Sequence, residues 1–383
     1  MNDEIAIIGA GIHPFGRHDA VTGLSMGVRA LRGALADAEL EWTDMQFAFG
    51  GSEDAGNADT MVTDLGLTGI PFINVKNGCA TGGSSLTSAV LALQSGQYEI
   101  GAVVGFDKHP RGAFVNFPVD WSLPEWYGEL GLMMTPQFFG AKIQRYMYDH
   151  SIPSSTLAQV AEKAFYNGSL TPHAWRRDTL GREQILNAKM IANPLTQYML
   201  CSPGEGAAAL IVCRRDYLPK VTKSRAVWLR SVAFRTRLAG SFEVFSPSLS
   251  LDISPSPTVA AAKAAFEIAG VAPQDVDVVQ VQDTESGAEI IHLAECGFCE
   301  HGEQVEMYAN GDTRIEGRLP VNTDGGCLSN GEPVGASGLR QVVEIVTQLR
   351  GEAGQRQVPS SPRVGFTHVY GAPGVSACTV LSV

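Results

Sequence analysis

The sequence predicts an α/β protein built from two similar halves, and three observations carry that prediction. Strand-like and helix-like patterns alternate along nearly the whole chain. A strand end, a Gly/Cys turn and a helix opening with small residues occur once in each half, as NVKNGCATGGSSLTSAVLAL and as PVNTDGGCLSNGEPVGASGLRQVVEIV. The 383 residues suffice for two packed cores, and 44% hydrophobic against 18% charged residues is a globular composition.

The elements follow in order. Residues 5–11, IAIIGAG, read as a buried strand running into a turn. Apolar residues then recur at Leu24, Val28, Leu31 and Leu35, one face of a helix. A short strand ends at Asn74 and Val75. The turn after it holds Cys79 and leads into a helix rich in Ser, Ala and Leu over residues 82–93, followed by the buried strand 100–106. Between 109 and 150 the pattern breaks into an excursion carrying Trp121, Trp126, Tyr127, Met133, Met134, Phe138 and Phe139. Such a segment serves as a lid or binding loop, or else as a dimer interface or satellite core. A helix over 155–165 and a strand ending at Cys213 complete the first half, residues 1–220. The second half, 221–383, repeats the theme. It has a strand near 227–235, an Ala-rich helix over 257–269, a strand over 276–281, a helix over 336–349, and two closing strands joined by YGAPG.

Composition excludes several classes. A net charge of −12 argues against a nucleic-acid binder. No run approaches the ~18 apolar residues of a membrane span, and the acidic start MNDEIAIIGAG is unlike a signal peptide. A cytoplasmic location is expected. The seven cysteines are an odd, scattered set, and the lone CxxC of Cys296 and Cys299 lacks two further ligands for zinc, so no metal is expected. Gly9-Ala10-Gly11 follows a strand, but Pro14 stands where a dinucleotide fingerprint has its third glycine, and HPFGRH does not open a helix.

The runs IAIIGAGIHPFGRH, NGCATGGSSLTSAVLALQSGQ, MLCSPGEGAAALIV, CGFCEHGE and PVNTDGGCLSNGEPVGASGLRQVVEIVTQLRGEAGQRQV span nearly the whole chain. Together they resemble the thiolase superfamily, in particular the branch of sterol carrier protein-type thiolases and lipid-transfer proteins. The resemblance implies the thiolase fold, five-layered αβαβα. It also implies at least a homodimer, a CoA thioester as substrate with no other cofactor, and a small partner with an OB fold and a zinc ribbon.

Thiolases use four stations, and this sequence departs from the pattern at three. Cys79 matches the nucleophile in a Gly-flanked strand-to-helix turn, where helix-end N–H groups favour a thiolate. The HDxF-type segment reads Gln282-Asp283-Thr284-Glu285, without its histidine. The Gly-His-Pro loop reads Gly331-Glu332-Pro333, and an ionised Glu opposes a thiolate instead of activating it. The last station reads THVYGAPG, with His368 and Tyr370 in place of the usual acid/base. The substitutes can all exchange protons.

Some relatives in this branch are retro-aldolases, whose chemistry needs no acyl-enzyme. For such a reaction Asp283 or Glu332 is expected as base, Tyr370 as the hydroxyl partner, and His368 as an orienting group. Backbone N–H groups at Cys79 and Gly374 would hold the thioester oxygen. Gly331, Gly335, Ser337 and Gly374 are the residues expected against the CoA thioester. The aromatic excursion suits a bulky acyl group, such as a steroid side chain. Two other readings stand beside this one: acyl transfer through Cys79, and a non-catalytic acyl-CoA or lipid carrier.

Overall fold

The computed structural model describes residues 5–114, 116–218, 226–241, 243, 254–372 and 374–383. The expected boundary between the halves, at 220/221, lies outside them. Among the described residues the strands of the main sheet are β1 (Ile5–Gly16), β2 (Ala48–Gly51), β3 (Phe72–Asn74), β4 (Ile100–Lys108), β5 (Glu205–Arg214), β6 (Val227–Thr236), β7 (Val278–Val281), β8 (Val364–Gly371) and β9 (Val375–Ser382). The helices used below are α1 (Gly23–Asp37), α2 (Thr81–Gln94), α3 (Thr135–His150), α4 (Ser154–Ser169), α5 (Pro257–Ala269), α6 (Ser286–Glu295), α7 (Gly326–Asn330) and α8 (Ser337–Leu349).

The sheet order is β3-β2-β4-β5-β1-β6-β9-β8-β7. It reads the same outward from a seam between β1 and β6. On each side the seam strand pairs antiparallel with its neighbour, which pairs antiparallel with the next; a parallel pair follows. The fifth place is β3 on one side, and on the other a parallel bridge of Val279 to Val321. The seam itself joins only Ala6 to Trp228 and Ile7 to Val227. Helix α1 covers the outer face of the first half and α5 that of the second, while α2 and α8 fill the space between. This is the five-layered arrangement expected from the sequence.

Strand β1 runs five residues beyond the expected end, through Pro14 to Gly16, so the Gly9-Ala10-Gly11 run lies inside a strand and opens no helix. Cys296 is buried in the core of the second half and Cys299 packs against it. The excursion differs from an irregular loop: it ends in the sixteen-residue helix α3, with Pro136 in its first turn, where a missing N–H costs nothing. Tyr127, Met133 and Phe138 bury themselves with Tyr370 as a small separate core, so the segment folds onto the end of β8.

The middle layer sets the tightest constraint. In α2, Ser84, Ser85, Thr87 and Ser88 each donate their hydroxyl to the carbonyl four residues back, which lets a hydroxyl-rich helix lie between sheets. A methyl on Gly82 would stand 2.7 Å from the Leu339 backbone nitrogen, and one on Gly338 would stand 3.1 Å from that of Gly83. The two helices therefore pass backbone against backbone. All of α8 except Thr347 is buried. Its polar side chains are matched by partners: Arg340 pairs with Asp324, Glu344 with Arg356 at 2.9 Å, and Gln341 donates to Gln282 at 3.2 Å.

Gly82→Ala should lower stability by about 1–3 kcal/mol through overpacking. Gly181→Ala, where a methyl meets open space, should cost far less. Equal urea midpoints for the two variants would show that the central helices can part. Burial alone would raise the Asp324 carboxyl, but Arg340 and His173 overcome it and hold the group well below the ordinary carboxylate range. Its stabilisation is therefore complete above about pH 4 and is lost as acid titrates the group. Arg340→Met should cost about 3–5 kcal/mol at neutral pH by leaving that charge unpaired.

Candidate active site

The turn between β3 and α2 places Cys79 two residues before Thr81, the first residue of α2. Gly78 has φ +55°, and a methyl there would lie 2.9 Å from the Ala372 carbonyl. A methyl on Gly371 would lie 2.7 Å from the Ala80 nitrogen and from the Asn77 oxygen. Glycine at both positions thus lets the Cys79 turn touch the turn after β8.

Over these turns opens a cleft of about 330 Å³. Cys79, Cys201, Glu332 and Tyr370 supply its reactive groups, and Phe114, Phe139, Leu200 and Ile191 much of its apolar wall. Phe114 and Phe139 both belong to the aromatic excursion, which therefore serves as pocket wall as well as satellite core.

Glu332 is fully buried and fixed through its backbone: its N–H donates to the Ser202 carbonyl at 2.8 Å, and its own carbonyl accepts from Gly204 at 3.1 Å. Its carboxylate accepts from Gln282 Nε2 at 2.6 Å on Oε1, and from the Cys201 thiol at 3.6 Å on Oε2. Cys79 also hydrogen-bonds to it. Burial raises the Glu332 carboxyl above its usual range, against the pull of the two thiols. Burial also pushes the Cys79 thiol well up, and the Glu332 charge and hydrogen bond push it further. Cys201 is raised by the same two causes. These thiols sit in surroundings opposite to those that make a thiolate.

Tyr370, at the end of β8, also lines the cleft and donates its hydroxyl to Glu243 Oε2 at 2.5 Å. Lys142 of α3 lies 5.6 Å from the centre of its ring.

Other expected residues lie elsewhere. Asp283 is buried away from the cleft, and its carboxylate accepts the Cys327 N–H at 2.6 Å and the Leu328 N–H at 3.3 Å. A carboxylate spent on the first turn of α7 does not line the cleft, so the structure gives Asp283, expected as a base, a supporting place instead. His368 is likewise buried outside the cleft, with Nε2 3.0 Å from Thr258 Oγ1 and its ring against His292. Burial, then His292 and Lys142, hold its pKa well below 6.5, so it is neutral.

The amides of the four residues expected against the CoA thioester are engaged within the fold. Gly331 donates to the Cys327 carbonyl at 2.8 Å, Gly374 to that of Gly371 at 2.9 Å, and Ser337 to that of Pro333 at 3.1 Å. Gly335 donates to the Asp107 carboxylate at 2.8 Å. None of the four lines the cleft. They shape the turns around the cleft. Sequence reasoning missed Cys201 and Glu243, which no spacing links to Cys79 or Tyr370; only the run MLCSPGEG pointed to the region of Cys201.

Glu332→Gln keeps the shape of the side chain and removes the charge facing both thiols. The pH at which Cys79 becomes alkylated should fall in this variant, read by iodoacetamide labelling and peptide mass spectrometry over about pH 7–10. Unchanged labelling would mean that Glu332 does not control the thiol.

Residues 246–382 match the family described as Thiolase C-terminal domain-like. The chain is 34% identical to acetyl-CoA acetyltransferase of Methanothermobacter thermautotrophicus, over 98% of each. It is 30% identical to sterol carrier protein 2 of Oryctolagus cuniculus, over 98% of this chain and 71% of that one. Its fold is shared with a chain of the Ltp2-ChsH2(DUF35) aldolase, at TM-score 0.88 and 21% identity over 100% of this chain and 98% of that one. Human mitochondrial 3-ketoacyl-CoA thiolase follows at 0.73 and 14%, over 99% and 98%. With the sheet order, the paired central helices and the Cys79 turn, these likenesses establish that the chain belongs to the thiolase family, on the side that includes the sterol carrier protein 2 thiolases.

Proposed function

We propose that the chain cleaves a β-hydroxyacyl-CoA with a bulky apolar substituent by a retro-aldol reaction, giving a ketone and a shorter acyl-CoA. The observation that carries this reading is the Glu332 carboxylate beside Cys79, with no histidine among the described residues that line the cleft. Acyl transfer needs a thiolate, and burial beside a carboxylate opposes one. Retro-aldol cleavage needs no acyl-enzyme. It needs a group to take the β-hydroxyl proton and a group to return a proton to the α-carbon. Glu332 and Tyr370, which both line the cleft, are the side chains suited to these tasks.

As the hydroxyl proton leaves, the carbonyl of the ketone forms and the bond between the α- and β-carbons breaks. Its electron pair passes into the thioester as an enolate, which a proton then quenches at the α-carbon. Phe114, Phe139 and Leu200 would pack the bulky group and keep water from the enolate. The aldolase that shares this fold bears a name pairing two proteins, Ltp2 and ChsH2(DUF35). That supports a partner subunit here as well, beside a homodimer. The name of the archaeal relative supports acyl transfer through Cys79 as the second reading.

The test supplies a β-hydroxyacyl-CoA bearing a bulky tertiary alcohol and, separately, acetoacetyl-CoA with free CoA, with products read by mass spectrometry. A ketone and a shorter acyl-CoA from the first substrate alone support the proposal. Glu332→Gln and Tyr370→Phe should then each lower kcat by about tenfold or more, and Cys79→Ala by less than either. Acetyl-CoA from the second substrate, with an acyl group trapped on Cys79, would replace the proposal with acyl transfer. Thioester binding without turnover would point to a carrier.

A further inference from the structure

Behind Tyr370 lies a carboxylate that the four thiolase stations do not include. Glu243 is 1% exposed, and its Oε2 accepts the Tyr370 hydroxyl at 2.5 Å. The turn after β8 is shaped around it: Gly374 has φ +106°, and a methyl there would stand 2.6 Å from Glu243 Cγ. Charged groups face this carboxylate from three directions, Lys142 from α3, Glu295 from α6 and Arg237 from the chain after β6. Burial raises its pKa, and Lys142 and the Tyr370 hydroxyl oppose that rise.

The direction of the hydrogen bond decides what Tyr370 can do. Its one proton is committed to Glu243, which does not line the cleft, so toward any further partner the phenol oxygen can only accept. A tyrosine held this way is an acceptor for a substrate hydroxyl. Alone it would be a poor one, because accepting a proton without releasing its own leaves a buried cation. A carboxylate behind it removes that obstacle.

We propose that Glu243 is the terminal acceptor of the β-hydroxyl proton and acts through Tyr370, which fixes the direction of proton flow in the cleft. This rests on the retro-aldol reading and deepens it. The β-hydroxyl proton moves to the Tyr370 oxygen while the phenol proton moves to Glu243, so the tyrosine ends neutral. The carbon–carbon bond breaks toward the thioester, and the α-carbon takes a proton from Glu332 in its protonated form, which burial favours. Exchange with water then returns a proton to Glu332 and removes one from Glu243. Activity thus requires Glu243 ionised and Glu332 protonated, and kcat should rise and then fall with pH. Glu243 is a positioning residue, since it touches Tyr370 and not the substrate.

The experiment measures kcat and KM against pH on the full chain, with the tertiary β-hydroxyacyl-CoA. The variants are Glu243→Gln, Glu243→Asp, Tyr370→Phe and the double variant Glu243→Gln/Tyr370→Phe, each checked for wild-type circular dichroism. Glu243→Gln should lower kcat by about tenfold or more with KM within about twofold, and should remove the acid limb. Glu243→Asp should recover part of the rate. The double variant should lose no more than Tyr370→Phe alone, because two members of one relay fail as a unit. A Glu243→Gln enzyme with wild-type kcat and an intact acid limb overturns the proposal. So does a double variant whose loss is the product of the single losses. A wild type that cleaves nothing instead overturns the retro-aldol reading, and the relay falls with it.

Discussion

The buried pair of Arg340 and Asp324 is the interaction on which the site depends. Both side chains are fully buried, and neither could keep its charge there alone. Such a pair adds little net stability over a well-packed apolar one, so its value lies in what it fixes. Arg340 belongs to the central helix α8, and Asp324 to the turn that leads into α7. Asp283 then caps α7 by accepting the Cys327 and Leu328 amides. Helix α7 ends at Gly331, in the left-handed region at φ +76°, and the next residue is Glu332. The part of the cleft that carries Glu332 is thus referenced to the middle of the molecule through one ion pair and one cap.

That chain of constraint explains why one residue alters so much chemistry. At the position of Glu332 the family pattern has a histidine, which can take a thiol proton and carry positive charge beside a thiolate. A carboxylate in the same place takes the hydrogen bond of each thiol and discourages its ionisation. The Cys79 turn and its helix start are retained, yet the electrostatic condition for a nucleophile is reversed. The surroundings of Tyr370 are of a different kind. There Tyr370 is enclosed by Tyr127, Met133 and Phe138 of the excursion, and its hydroxyl is committed to Glu243. Two proton-exchanging groups then line one largely apolar cleft.

Much of this was legible in the sequence, for reasons that also mark the limit. Strands such as 100–106 and helices such as 82–93 carry their own periodicity, so β4 and α2 emerged within a few residues of their observed bounds. Helix α3 did not, because its proline and aromatic residues resemble a loop until Tyr127 and Phe138 are seen packing on Tyr370. The three substituted stations gave Glu332 and Tyr370 their places in the cleft. Asp283 failed by a single residue. In extended chain, neighbouring side chains point opposite ways, so Gln282 reaches Glu332 while Asp283 turns back to α7. The four small residues expected at the thioester failed because a sequence does not reveal which amides are already donated. Glu243 lies 127 positions from Tyr370, a distance that only the fold closes.

The duplication visible in the sequence has a mechanical meaning. Each half contributes a strand, a small-residue turn and a central helix, and the two helices meet where Gly82 and Gly83 pass Gly338. Because they meet near their starts, the turns that precede them come together as well. One turn brings Cys79 and the other brings Glu332. A residue between α2 and α8 larger than glycine would separate the helices, and with them the thiol from the carboxylate, without touching the chemistry of either. The site is therefore a property of the junction between two repeated modules, and its character changes when either module alters the one side chain it presents there.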